Sequence, residues 1–222
     1  MYLVIGSDGY LGQKFCNYLE KKNIGHIKLG RRKSKALDYV SIGDDPSNLQ
    51  SILNLEFSDI NIHKIIYLAT NKKEDLFLNV SDEDINNHLY VNHVLFLQLL
   101  KFFIQKMISH KDGNVLYVGS SKAHSGDIGS SLYSSSKAAS INVLRSLSKE
   151  YGRFNIRFNA LMLGYFGGKL WEQIPEEKRS QMMNEPSLNR LGTTDEFCDT
   201  AFFLLNSTYM TGEEIYLDGG LR

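Results

Sequence analysis

Tyr2-Leu3-Val4-Ile5 runs straight into Gly6-Ser7-Asp8-Gly9-Tyr10-Leu11-Gly12, and a helical pattern begins near Gln13. Three glycines at three-residue spacing, set between an apolar run and a helix, leave few folds open. The chain has to turn sharply out of a strand, bring backbone N–H groups close to a bound group, and pack the next helix tightly on that strand. A side chain obstructs each of these steps. The helix N-terminus adds unpaired N–H donors and the positive end of a dipole, which together attract phosphate. Glycine triplets also occur in plain turns, so the strand before and the helix after carry the reading. Gly6, Asp8, Gly9, Tyr10, Leu11 and Gly12 are therefore expected around the pyrophosphate of a dinucleotide.

Downstream, short apolar runs at 27–29, 64–68, 114–118, 156–161 and 214–217 alternate with helical stretches near 11–22, 47–55, 83–109, 132–152 and 194–206. A weaker strand is expected at 37–40. Runs this short, rich in Val, Ile, Leu and Tyr and bounded by Gly, Ser, Asn or Asp, fit strands buried on both faces. The alternation predicts an α/β chain: a single doubly wound, Rossmann-type parallel sheet with helices on both faces. A length of 222 residues suffices for one core and is short for two, so 1–222 is expected to be one dinucleotide-binding domain. Residues 165–190, with Gly167-Gly168, Pro175, Pro186 and a Glu-Glu-Lys-Arg run, are too long for a simple connection. They read equally as a lid over a site or as a solvated surface helix.

Charge narrows the partners. Lys plus Arg and Asp plus Glu number 25 each, for a net charge of zero, which argues against a nucleic-acid surface or a polybasic membrane anchor. Cys16 and Cys198 lie far apart without His or Cys at metal-ligand spacing, so neither a disulfide framework nor a metal site is expected. No window approaches the roughly 18 consecutive apolar residues of a membrane span, and the first residues lack the charged start of a signal peptide. A cytoplasmic chain is the reading.

The second strand ends in Gly30-Arg31-Arg32-Lys33. A carboxylate there would accept hydrogen bonds from a ribose diol and favour NAD, whereas arginine can pair bidentately with a 2′-phosphate. Arg31 or Arg32 therefore points to NADP over NAD, with Lys33 and Lys35 as solvated charges. Farther on, Tyr133-Ser134-Ser135-Ser136-Lys137 opens a helix, and residues four apart share one face. A phenol with a pKa near 10 is a poor acid–base group at neutral pH, and a neighbouring ammonium is expected to lower it. By itself the pair matches many surface helices. A strand running into Gly119-Ser120-Ser121 just upstream changes its weight, because ligands of doubly wound sheets bind outside the carboxyl ends of the strands. A serine there can hydrogen-bond the same oxygen as Tyr133.

With these motifs come Val91-Asn92-His93, Lys137-Ala138-Ala139, Asn155-Ile156-Arg157-Phe158-Asn159-Ala160, Arg190-Leu191-Gly192, Tyr209-Met210-Thr211-Gly212 and Leu217-Asp218-Gly219-Gly220. In this order they resemble the short-chain dehydrogenase/reductase family over nearly the whole chain. The resemblance implies an NADP(H)-dependent oxidoreductase that interconverts a small carbonyl compound and a secondary alcohol. It also implies a homodimer or homotetramer built on the helices at 83–109 and 132–152 and the C-terminal strand. The family's tetrad falls on Asn92, Ser121, Tyr133 and Lys137. Tyr133 would be the acid/base and Ser121 would orient the carbonyl. Lys137 would lower the tyrosine pKa and hold the nicotinamide ribose, and Asn92 would position a relay water. Ser120 stays open beside Ser121, whose spacing to the tyrosine is one residue short.

The chain departs from the family's main pattern in four places. Its loop is G-x-x-G-x-x-G, the spacing of sugar-nucleotide-handling relatives. Leu68-Ala69-Thr70 replaces Asn-Ala-Gly, so that only Ala69 carries over. The acidic residue expected against the adenine is Asp44 or Asp45. Leu163-Gly164 replaces Pro-Gly, with Gly164 and Phe166 expected near the carboxamide. Tyr165, Phe166, Trp171 and Met182 suggest a partly apolar substrate pocket. A nucleotide-sugar or surface-polysaccharide enzyme, a 3-oxoacyl thioester reductase and a non-catalytic dinucleotide sensor or scaffold stand as rivals.

Overall fold

A computed structural model describes residues 1–32, 34, 36–43 and 46–221. Apolar runs become the strands β1 (Tyr2–Ile5), β2 (His26–Gly30), β3 (Tyr39–Ser41), β4 (Lys64–Tyr67), β5 (Gly113–Ser120), β6 (Ile156–Leu163) and β7 (Glu214–Leu217). They pair in the order β3-β2-β1-β4-β5-β6-β7, with every pairing parallel. The expected doubly wound sheet is thus the one formed. Strand order reverses between β1 and β4, and the crevice at that switch point is where such sheets bind ligands.

The helices are α1 (Tyr10–Lys21), α2 (Leu49–Phe57), α3 (Asp82–Leu89), α4 (Leu95–His110), α5 (Ser131–Tyr151), α6 (Lys169–Glu172), α7 (Glu176–Met183) and α8 (Thr194–Asn206). Successive strand residues face opposite layers, as a pleated backbone requires. Leu3, Ile5, Tyr67, Val115, Tyr117 and Phe158 pack with Leu53, Phe57, Phe96, Phe103 and Leu144 of α2, α4 and α5. Tyr2, Val4, Ile66, Leu116 and Leu161 pack with Phe15, Leu19, Phe197 and Leu204 of α1 and α8. Cys16 and Cys198 are buried free thiols in that second layer. Among the described residues, no helix is long and apolar enough to cross a membrane.

The helix expected over 83–109 is two helices, α3 and α4, joined by a π turn at Tyr90–Val94. A Ser81–Asp84 capping box starts α3. The wider turn leaves carbonyls outside the α-helical ladder, as π-bulges do near functional sites. Val91 accepts from the Tyr67 hydroxyl, and the Asn92 carbonyl accepts from the Tyr117 hydroxyl at 2.8 Å and from Ser140 Oγ at 2.9 Å. The segment 165–190 forms the short α6 and α7. It passes directly over the start of α1: Gly168 has φ 121°, and a Cβ there would come within 2.8 Å of the Tyr10 ring.

Candidate active site

The glycine loop meets the end of β4. Gly6 has φ 83°, and a Cβ on it would lie 2.4 Å from the Ala69 nitrogen. A Cβ on Gly12 would lie 2.3 Å from the Gly6 carbonyl, so α1 can approach the loop only with glycine there. Gly9 differs: it is exposed, and an added Cβ would meet only the Gly6 carbonyl, at 3.4 Å. Its bare backbone faces outward. Gly9 also precedes α1 with no side-chain cap, and the first turn holds no acidic residue, so the N–H donors and dipole point out beside it. This set of donors fits a dinucleotide pyrophosphate. The Leu11 side chain packs into the α1–α8 layer, which leaves its backbone for the loop.

Asp8 turns the other way. Its carboxylate accepts from the Tyr39 hydroxyl at 2.8 Å and lies over Gly30, where a Cβ would meet Asp8 Oδ2 at 2.3 Å. A carboxylate from the loop thus reaches the end of β2, where this fold places a nucleotide ribose. Arg31 and Arg32 follow Gly30 and are exposed. Both signs of charge therefore meet at one strand end. Asp44 and Asp45, expected near the adenine, lie outside the described residues, as do Lys33 and Lys35.

Tyr133 and Lys137 project from the first turns of α5 and are 8% and 2% exposed. Ser120, the last residue of β5, and Thr70, just past the end of β4, both act on the Tyr133 hydroxyl and hold its pKa down. Ser121 does not: β5 ends at Ser120, Ser121 opens a tight turn, and its Oγ donates to the Leu163 carbonyl at 3.3 Å. The serine brought to the tyrosine is Ser120. Thr70 went unnoticed in the sequence because it occupies a position where glycine was expected, and its hydroxyl at a strand end was the available signal.

Burial pushes the Tyr133 phenol up to about 12, against the opposite pull of Ser120 and Thr70. Burial lowers Lys137 to about 7. The lowering of Tyr133 expected from Lys137 does not occur. Lys137 Nζ donates to the Val118 carbonyl at 3.0 Å and stands 5.8 Å from the Tyr133 ring centroid, and desolvation of the phenol prevails.

Asn92 is fully buried in the π turn. Its Nδ2 donates to the Asn71 carbonyl at 3.0 Å and to Ser136 Oγ at 3.1 Å, while Oδ1 accepts from the Asn71 N–H at 2.8 Å and from Thr70 Oγ1 at 3.3 Å. Two bonds at each end are all an amide side chain makes, and its main-chain carbonyl already has two hydroxyl donors. The Asn92 side chain is thus engaged at both ends. What Asn92 holds is the chain leaving β4, with Thr70 on it.

A cavity of ≈ 480 Å³ is lined by Lys72, Glu74, Lys122, Asp127, Tyr165 and Met182 among others, and not by Tyr133, Ser120 or Lys137 themselves. Lys72 Nζ is 6.0 Å from the Tyr133 ring centroid, and burial lowers its pKa. The wall is more charged than the four apolar residues expected there. Tyr165 and Met182 do line it, but Phe166 turns inward against Phe197 and Gly192, and Trp171 packs beside Tyr165 at 6.1 Å. Leu163 is in register with Ser120, so Gly164 leaves the sheet next to the end of β5, and its N–H is held by the Leu217 carbonyl at 3.1 Å. Among the described residues, Glu20, His26 and Asp38 form a cluster of possible metal ligands, but the Lys28 ammonium already fills it, 2.8 Å from Glu20 and 2.9 Å from Asp38.

A family model described as Enoyl-(Acyl carrier protein) reductase matches residues 54–222. Carbonyl reductase family member 4 of Xenopus laevis is 33% identical over 162 residues, which are 73% of this chain and 67% of that protein. The 3-oxoacyl-[acyl-carrier-protein] reductase FabG of Chlamydia trachomatis is 26% identical over 218 residues, 97% of this chain and 85% of its own. A solved short chain dehydrogenase from Leptospira borgpetersenii with bound NAD+ superposes with a TM-score of 0.87 at 21% identity, over 99% of this chain and 91% of that one. A likeness at that identity speaks to the fold alone.

Proposed function

Because the chain belongs to the short-chain dehydrogenase/reductase family, we propose that it interconverts a small polar carbonyl compound and its secondary alcohol with NADP(H), Tyr133 serving as the acid/base. It is an NAD(P)-dependent oxidoreductase of the CH–OH/C=O type. One observation carries the finer reading: Ser120 and Thr70 act on the Tyr133 phenol just past the sheet's carboxyl edge, Lys137 Nζ is 5.8 Å from its ring centroid, and Lys72 of the charged cavity wall is 6.0 Å from it.

A dinucleotide held at the glycine loop would supply the hydride. The backbone from Gly9 to Gly12 and the start of α1 would hold its pyrophosphate, with Ala69 beside the loop, Gly164 and Phe166 near the carboxamide and Lys137 at the nicotinamide ribose. Tyr133, a neutral phenol at physiological pH, gives its proton to the carbonyl oxygen in the reducing direction. A serine hydroxyl bonds the same oxygen. Ser120 has the position for this, and Ser121 is the alternative. Lys137, which gains and loses a proton near pH 7, restores the phenol. Asn92 fixes the frame by holding Thr70 and Asn71. Residues 1–222 act as one nucleotide-binding unit, with 165–190 as its lid. The free thiols fit a reducing, cytoplasmic setting.

The preference for NADP(H) rests on Arg31 and Arg32, and Asp8 opposes it. Replacing both arginines by alanine is expected to weaken NADPH at least tenfold and NADH little, while Asp8→Asn strengthens NADPH. Fluorescence titration reads both, and tighter NADH binding in the unaltered protein would overturn the preference. The charged cavity wall favours a polar keto compound, such as a keto-sugar nucleotide, over a long acyl thioester. Oxidation of NADPH against ketones, acyl thioesters and keto-sugar nucleotides tests this, and absence of turnover with every substrate would point to a sensor. A homodimer or homotetramer is expected by light scattering, built on α3–α4, α5 and the C-terminal strand β7. A monomer at micromolar concentration would refute it.

A further inference from the structure

Tyr117 sits beneath the site without reaching the cavity. Its side chain is fully buried on β5, stacked on Tyr67 with centroids 5.6 Å apart and interplanar angle 9°, and tilted against Phe96 at 4.8 Å. Packing of this kind allows the ring one orientation. One end of it donates to the Asn92 carbonyl, as described above. Lys137 Nζ lies over its face, 4.8 Å from the centroid and closer than to the Tyr133 ring.

Lys137 has an unusual set of neighbours for a buried amine. Tyr117 faces it from β5 and Tyr133 from α5. Tyr67 of β4 lies behind Tyr117, and Lys72 and Glu74 stand beyond Tyr133, by the cavity. From the π turn comes Asn92, whose carbonyl is already taken twice. Among the described residues no carboxylate pairs with Lys137. Its ammonium form is supported by the Val118 carbonyl and by the negative face of a rigid aromatic ring.

We propose that Tyr117 is a positioning residue for the reaction: its ring face carries the Lys137 ammonium beside Tyr133, and its hydroxyl fixes the ring by donating to the Asn92 carbonyl. The ring is thus a fixed aromatic platform under the lysine. The kinetic consequence rests on the function proposed above, but the electrostatic one does not.

The test compares Tyr117→Phe, which keeps the face and removes the hydroxyl, with Tyr117→Leu, which removes the face. Lys137 is titrated directly by NMR of lysine-labelled protein, with its resonance assigned by loss in a Lys137→Met variant. Losing the face disfavours the ammonium, so the midpoint is expected to fall by about half a unit to one unit in Tyr117→Leu and to stay near the native value in Tyr117→Phe. Turnover in Tyr117→Leu is expected to drop about tenfold with KM little changed, and the limb of its pH profile near 7 should move with the NMR midpoint. An unmoved Lys137 midpoint in Tyr117→Leu overturns the platform, as does an equal fall in both variants. If Tyr117→Leu does not fold, Tyr117→Met fills more of the space and is read the same way. Absence of turnover in the unaltered protein would instead count against the proposed function, while the NMR titration still decides the role of Tyr117.

Discussion

Tyr133→Phe is expected to lower turnover about 10²–10⁴-fold, the usual contribution of a positioned acid–base group, while NADPH still binds. The change removes one oxygen from a side chain that is 8% exposed, so stability should shift by no more than about 1 kcal/mol. With its pKa near 12, the tyrosine contributes no titration between pH 6 and 9. A limb near pH 7 in the native rate profile belongs to Lys137 and reports its proton. Stopped-flow reduction kinetics beside a cofactor titration separate chemistry from binding. Undiminished turnover in the variant would remove Tyr133 from the mechanism.

Lys137→Met should make the protein more stable at pH 7 and nearly inactive. Folding lowers the lysine from an ordinary 10.5 to about 7, so between those values the folded chain binds fewer protons than the unfolded one. Stability of the native protein must then rise with pH through that window, by up to about 1.4 kcal/mol per unit. At pH 7 most of the penalty is present, roughly 3–5 kcal/mol. Methionine removes it and forfeits the bond to Val118 and the contact with Tyr117, together about 1–3 kcal/mol. A net gain of about 1–3 kcal/mol at pH 7 is expected, with a flat profile up to pH 9 and turnover reduced about 100-fold or more. Above pH 10 both proteins lose stability, because the raised Tyr133 must ionise on unfolding only. Urea melts at pH 7, 8 and 9 check the sign. A destabilised variant with the native slope would mean that Lys137 is not a buried amine.

Most of the sheet was legible because strands buried on both faces leave little else for runs such as Leu3-Val4-Ile5 or Ile65-Ile66-Tyr67 to do. The glycine loop was legible for a similar reason: backbone contacts at Gly6 and Gly12 admit no side chain. What stayed hidden depended on one-residue detail. The π turn at Tyr90–Val94 interrupts a continuous helical pattern, and nothing in its local composition separates it from the helices on either side. Ser120 and Ser121 are the same residue type in adjacent places, and only the end of β5 decides which hydroxyl meets Tyr133. Tyr117 looked like any aromatic of a buried strand, since its hydroxyl bond spans 25 residues and its lysine comes from a helix beyond. The sequence pair Tyr133–Lys137 gave the neighbours correctly but not the sign of the tyrosine's shift, which depends on how much water the fold removes.

The segment crossing over α1 has an optical consequence. The chain contains one tryptophan, and it is Trp171 in α6, beside Tyr165 and half-buried. All indole emission from the protein therefore originates in the segment 165–190, which supplies part of the cavity wall. Any rearrangement of residues 165–190 changes the surroundings of that single emitter, and a reduced nicotinamide held nearby can quench it by energy transfer. The protein carries its own reporter of occupancy at the site, with no label to attach and no second tryptophan to subtract.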